Sequence, residues 1–263
     1  MSRSGPERLW CQPSDDGPNA RVLLLASAPS QRSAAVDQVA GPEWDDDDPA
    51  DATRILANIH RAFLDAEGNA GSRATLTEAD LRRWHAIIYQ SCTVPSPAYV
   101  GRFRGEAHRD LVDYEVGVGQ LLPDGIPERM GLWARDVQAA LTTLYQQLDR
   151  AFTALDGVVP AGTVPTEVDV LQEVVGVVAA AHGEWIRIHP FVNGNGRIAR
   201  LLAAHVALRY GLPVFVTLKP RPHDVAYVRA AHRSMGRPPL FAGDHTEATA
   251  VFAHLLALRL LHP

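Results

Sequence analysis

The sequence predicts an all-α bundle carrying one small β-hairpin, on three observations. After residue 50 most segments repeat apolar residues at three- and four-residue spacing. Capping signatures stand just ahead of several of those segments. One stretch between them alternates instead, and turn-forming residues bound it.

Residues 1–50 read as a flexible leader rich in Pro, Ser, Gly and Asp, ending in the acidic run Asp45–Asp48. Only Val22–Leu25 there has the composition of a short edge strand. The body, residues 51–263, opens with Asp51 as N-cap of a helix that places Ile55, Ile59, Phe63 and Leu64 on one stripe and ends near Gly68. A second helix begins at Thr77, with Asp80 in capping-box position and Leu81, Trp84 and Ile88 at helical spacing. Leu111 to Gly119 alternates and is expected to form the hairpin. Pro127 suits the first turn of a long helix through Met130, Trp133, Val137, Leu141 and Leu144. Thr166 with Asp169 opens a helix to Ile188 that is apolar almost all round, the pattern of a central helix. A loop at 189–194, a helix from 195 to 210, and helices over 222–235 and 246–261 complete the bundle.

Composition narrows the function classes. The chain has 263 residues, 46% of them apolar and 21% charged, as expected of a globular protein. Its net charge of −5 argues against nucleic acid as a partner, because a phosphate-binding surface needs clustered cations. No apolar run reaches membrane-spanning length, and Val22–Ala26 is too short for a signal segment. Cys11 and Cys92 form no metal spacing or disulfide framework, so the expected compartment is the reducing cytoplasm. His182-Gly183-Glu184 lacks a following Cys-x-x-Cys, which excludes the zinc deaminase pattern.

The chemistry concentrates in His189-Pro190-Phe191-Val192-Asn193-Gly194-Asn195-Gly196-Arg197-Ile198-Ala199-Arg200, between two apolar helices. Gly194 and Gly196 free the backbone to turn N–H groups inward where the next helix presents its positive end, an anion site suited to phosphate. Arg197 and Arg200 lie on one face of that helix, and two guanidiniums suit a polyphosphate. His189 stands at the other lip, where a neutral imidazole can take a proton from a hydroxyl. The residues by themselves point to phosphate-ester chemistry on a hydroxyl.

This stretch resembles the signature of the Fic (Fic/Doc) family, H-P-F-x-[D/E]-G-N-G-R-x-x-R, and matches every fixed letter outside the acidic position. Tyr99-Val100-Gly101-Arg102-Phe103-Arg104 is similar to the family's segment leading into its flap, and the helix order from 51 to 262 follows the family's. The resemblance implies a Fic-type bundle and transfer of AMP from ATP to a Ser, Thr or Tyr hydroxyl of a target protein. It implies that His189 is the catalytic base, that Gly194, Asn195 and Gly196 hold the nucleotide phosphates with Asn195 adding a side-chain donor, and that Arg197 and Arg200 contact the outer phosphates. Phe191 is expected to pack under the loop. The hairpin near 110–119 would hold an extended target segment by strand addition.

Asn193 stands where the family carries the acid that coordinates Mg²⁺, so the resemblance makes Asn193 the metal-facing residue. An amide oxygen brings no charge to the cation. Three alternatives follow: a transferase with weakened metal binding, a transferase of another group (phosphate, UMP or phosphocholine), or a Fic-fold pseudoenzyme. Phe63-Leu64-Asp65-Ala66-Glu67-Gly68 only partly matches the family's inhibitory string and reads as a helix end, which leaves restraint by a separate antitoxin-like protein open.

Overall fold

The computed structural model describes residue 44, residues 48–121 and residues 127–262. The expected strand at Val22–Leu25 lies outside the described residues, as does nearly all of the expected leader. Among the described residues seven α-helices carry the fold: α1 (Ala52–Gly71), α2 (Glu78–Ile88), α3 (Val137–Asp156), α4 (Val168–Ile188), α5 (Asn195–Arg209), α6 (Val225–Met235) and α7 (Thr246–Leu261). One antiparallel pair, β1 (Gly117–Leu121) and β2 (Pro127–Arg129), projects between α2 and α3 in chain order. None of these helices is long and apolar enough to cross a membrane.

The central helix is α4. It packs against α3, α5, α6 and α7, and its buried side chains include Val174, Val178, Ala181, Trp185 and Ile188. Burial on all sides accounts for its unbroken apolar pattern. Helix α5 lies against α4 on one side and α1 on the other.

Several local expectations are corrected. The buried stripe of α1 is Ile55, Ile59, Ala62, Ala66 and Ala70, while Phe63 is only half-buried and Leu64 is exposed. Alanines hold that face because α1 packs on both α2 and α5. The helix runs through Gly68 to Gly71, so Gly68 is not its cap. Asp51 precedes α1, yet its carboxylate caps nothing there; it accepts from Thr93 N–H at 2.7 Å and pairs with Arg54. The capping box of α2 forms as expected, with Thr77 N–H donating to Asp80 at 2.8 Å.

The antiparallel pair lies later in the chain than the hairpin expected at 111–119. Residues 111–113 are turns, and Gly117 pairs with Arg129. Leu111 is fully buried and its carbonyl accepts from Gly105 N–H at 2.7 Å, which holds that stretch in a tight excursion. Pro127 opens β2 and not a helix, and α3 begins ten residues on, at Val137. The break is Gly131, whose φ of +80° no helix accommodates. Glu167 takes the N-cap position of α4 without a side-chain bond, so the Thr166–Asp169 signature forms no cap.

Candidate active site

The last turn of α4 ends on His189 in the left-handed conformation, φ +53° and ψ +54°. That single residue turns the chain out of the helix into the motif loop. Gly131 lies directly against it, for a Cβ on Gly131 would stand 2.1 Å from the Cβ of His189. His189 is buried, and its Nδ1 lies 3.2 Å from the Ile186 carbonyl. A carbonyl only accepts, so Nδ1 carries the proton and Nε2 keeps its lone pair. Burial, together with the nearby Arg104 guanidinium, lowers the His189 pKa to about 3. The imidazole is therefore neutral at pH 7.

The loop is braced from inside. Phe191 is fully buried and stacks on His85 with ring centroids 3.8 Å apart. His85 Nδ1 accepts from Gly101 N–H at 3.0 Å, so its Nε2 carries the proton, which it donates to the Asn193 carbonyl at 3.1 Å. Asn195 closes on Phe191 with both ends of its amide: Oδ1 accepts from the Phe191 N–H at 2.9 Å and Nδ2 donates to the Phe191 carbonyl at 2.8 Å. The Asn195 side chain, expected to add a donor for phosphate, makes these two bonds to Phe191. It braces the loop.

Gly194, φ +79°, precedes α5 and accepts from the N–H groups of Arg197 and Ile198. The N–H groups of Asn195 and Gly196 belong to the first turn, where the helix itself supplies no acceptor. A Cβ on Gly194 would stand 2.5 Å from the Tyr89 hydroxyl, so this position requires glycine. Tyr89 in turn accepts from Arg197 Nη1 at 2.7 Å. Arg200 donates from Nε to the Leu218 carbonyl at 3.1 Å, and Tyr227 lies beside its guanidinium. Burial lowers the Arg200 pKa, and the neighbouring Arg197 charge adds to that shift. Two buried cations close enough to repel one another thus lie at a helix N-terminus, a combination whose chemistry suits an anion.

Sequence reasoning missed four supports. Arg104, 1% exposed, donates to the carbonyls of His189, Ile188, Leu132 and Tyr114 and pairs with Glu115. Burial lowers its pKa to about 10, so it stays charged. Tyr89 and Tyr227 support the two motif arginines. Tyr227 also meets His182, with 2.8 Å between its hydroxyl and Nε2. The fourth is Trp44, assigned by composition to the leader, which packs at residue 193. A tryptophan within an acidic, polar segment was the one available signal for it.

The Asn193 amide is engaged within the protein at both ends. Asn193 Oδ1 accepts from Gly194 N–H at 2.8 Å, and Nδ2 donates to the Trp44 carbonyl at 2.7 Å. Among the described residues no group of three or more His, Cys, Asp or Glu is placed to hold a metal ion.

The model of the Fic/DOC family matches residues 75–207, half of the chain, and includes the whole motif. The chain belongs to the Fic/DOC family. Its curated relatives include the protein adenylyltransferase Fic of Culex quinquefasciatus, 34% identical over 104 residues, covering 39% of this chain and 21% of that protein. The protein adenylyltransferase Fic of Aedes aegypti is 36% identical over 87 residues, covering 32% of this chain and 17% of that protein. These names place the Fic chain described here in a transferase family, although it spans only about a fifth of the relatives' length. A solved Fic domain containing signaling protein from Bacteroides thetaiotaomicron shares the fold, with a TM-score of 0.53 at 21% identity over 79% of this chain and 69% of that one.

Proposed function

We propose that this Fic protein is a protein adenylyltransferase that moves AMP from ATP to a Ser, Thr or Tyr hydroxyl of a target protein. One observation carries the reading: a neutral His189, with its lone pair on Nε2, shares a loop with a helix N-terminus and two buried guanidiniums. A target hydroxyl oxygen attacks the α-phosphorus of ATP and gives its proton to His189 Nε2. The bond from the α-phosphorus to the bridging oxygen breaks, and the electron pair leaves with pyrophosphate. Arg197, Arg200 and the first-turn N–H groups stabilise the charge that collects there. In this proposal the edge of the β1–β2 pair receives an extended target segment by strand addition, and a small antitoxin-like protein is a candidate partner.

A second reading is favoured by Asn193, whose amide is engaged at both ends: a pseudoenzyme that binds nucleotide without transfer. Parallel incubation of the protein and candidate targets with α-labelled and γ-labelled ATP separates the readings. Label from the α position on protein supports AMP transfer. Label from γ alone assigns phosphate transfer, and no label with retained ATP binding favours the pseudoenzyme.

A further inference from the structure

We propose that Asn193 is the catch of an intramolecular latch that ties the segment at Trp44 to the motif loop, and that this contact is why an amide stands at position 193. Trp44 precedes α1, and its carbonyl accepts the Asn193 Nδ2 proton at 2.7 Å. Its indole meets Tyr89 at a centroid distance of 4.6 Å, Tyr99 at 6.1 Å in a stacked arrangement, and His85 at 6.3 Å edge-on. It also packs against the buried cluster of Ala98, Tyr99, Leu111 and Val192. Trp44 thus touches three parts of the loop's support at once: His85, which holds the Asn193 carbonyl; Tyr89, which holds Arg197; and the side chain of Asn193 itself.

The chemistry of residue 193 follows from those partners. Its Oδ1 accepts from Gly194 N–H while its Nδ2 donates to Trp44. An ionised aspartate is an acceptor only. It would keep the Gly194 contact but set a carboxylate oxygen against the Trp44 carbonyl, two acceptors without a proton between them. The amide is the side chain of this size that serves both partners. By linkage, whatever draws the residue-193 side chain onto a ligand releases Trp44, and whatever captures the Trp44 segment frees residue 193. The latch stands on the loop's geometry and holds whether or not the protein transfers AMP.

Native-state chymotrypsin digestion of the full chain tests it, with the fragment ending at Trp44 followed by mass spectrometry. Asn193→Asp replaces the donated hydrogen bond with two opposed acceptors at nearly the same side-chain volume, and we expect cleavage after Trp44 to accelerate roughly tenfold at pH 7.5. The second measurement runs the other way. In Trp44→Ser protein, hydrogen exchange of the Asn193 side-chain amide, followed by NMR, is expected to accelerate by a similar factor. If Asn193→Asp protein loses its cooperative melting transition, the Trp44→Ser measurement alone decides. Parental exchange at Asn193 in a folded Trp44→Ser protein overturns the latch, as does parental cleavage after Trp44 in a folded Asn193→Asp protein.

Discussion

Arg104 donates its Nε proton to the carbonyl of His189 at 2.9 Å, and its main-chain N–H donates to the next carbonyl, Pro190, at 2.8 Å. One arginine thereby holds the turn that presents the candidate base. Its remaining donors reach Ile188, Leu132, Tyr114 and Glu115, so the segments before and after the β1–β2 pair meet α4 through one guanidinium. Arg104→Leu would strand several buried carbonyls and the Glu115 carboxylate together. We expect a loss of about 3 kcal/mol, read as a melting temperature lower by roughly 10 °C. Arg104→Lys should recover less than half of it, since one ammonium cannot span that fork. A parental melting curve for Arg104→Leu would refute this role.

His189→Ala is expected to lower transfer by about 10²–10⁴-fold while ATP affinity, measured by calorimetry, stays within about twofold. Arg200→Ala should weaken ATP binding as well, because a guanidinium meets phosphate before the reaction begins. With its pKa near 3 in the free protein, His189 stays neutral from pH 8 to pH 5. The acid limb of kcat/KM over that range should therefore be flat wherever the protein remains folded. Equal loss of ATP binding in His189→Ala would contradict a role confined to proton transfer.

Four buried histidines make the fold acid-sensitive. Burial lowers the pKa to about 3 at His85, His182 and His189 and to about 4 at His205. Arg197 faces His85, Arg200 and His245 face His182, Arg104 faces His189, and Arg209 faces His205, each adding to the depression; Asp80 opposes it at His205. In the unfolded chain these groups bind protons below about pH 6.5. The unfolded state then holds more protons, so stability falls as pH falls from 6.5 toward 4. Each histidine contributes roughly 1 kcal/mol per pH unit, and the melting temperature should drop by roughly 10 °C between pH 7 and 5.5. Asp80, Glu106 and Glu184 have lowered pKa values, so their loss lies below that window. A flat melting temperature from pH 7 to 5.5 would show that these imidazoles titrate normally in the fold.

Tyr89 links the glycine turn to Arg197. Gly194→Ala drives a methyl into the Tyr89 ring at a positive φ, and we expect a loss of about 1–3 kcal/mol of stability. Tyr89→Phe keeps the ring and removes the acceptor of the Arg197 Nη1 proton. Its expected effect is several-fold weaker ATP binding with little change in melting temperature. The opposite split, an intact affinity and a lost fold, would make Tyr89 a core residue alone.

The central burial of α4, the spans of α5 and α7 and the capping box of α2 were legible in the sequence because local forces set them: helical period, caps, and glycine at the turns. The motif loop was legible for the same reason, since His189 to Arg200 lie within twelve residues and one turn brings them together. The remainder depended on contacts distant in sequence. Leu111 is drawn into the core while the paired strands lie at 117–121 and 127–129, and Gly131 lies against His189 ahead of α3, which begins at Val137. The two bonds between the Asn195 amide and the Phe191 main chain were set by how the loop folds. Arg104 lies 85 residues from His189, and Trp44 lies 149 from Asn193. Periodicity and spacing report on neighbours along the chain. Which buried carbonyl finds which donor is decided only when the helices close on one another.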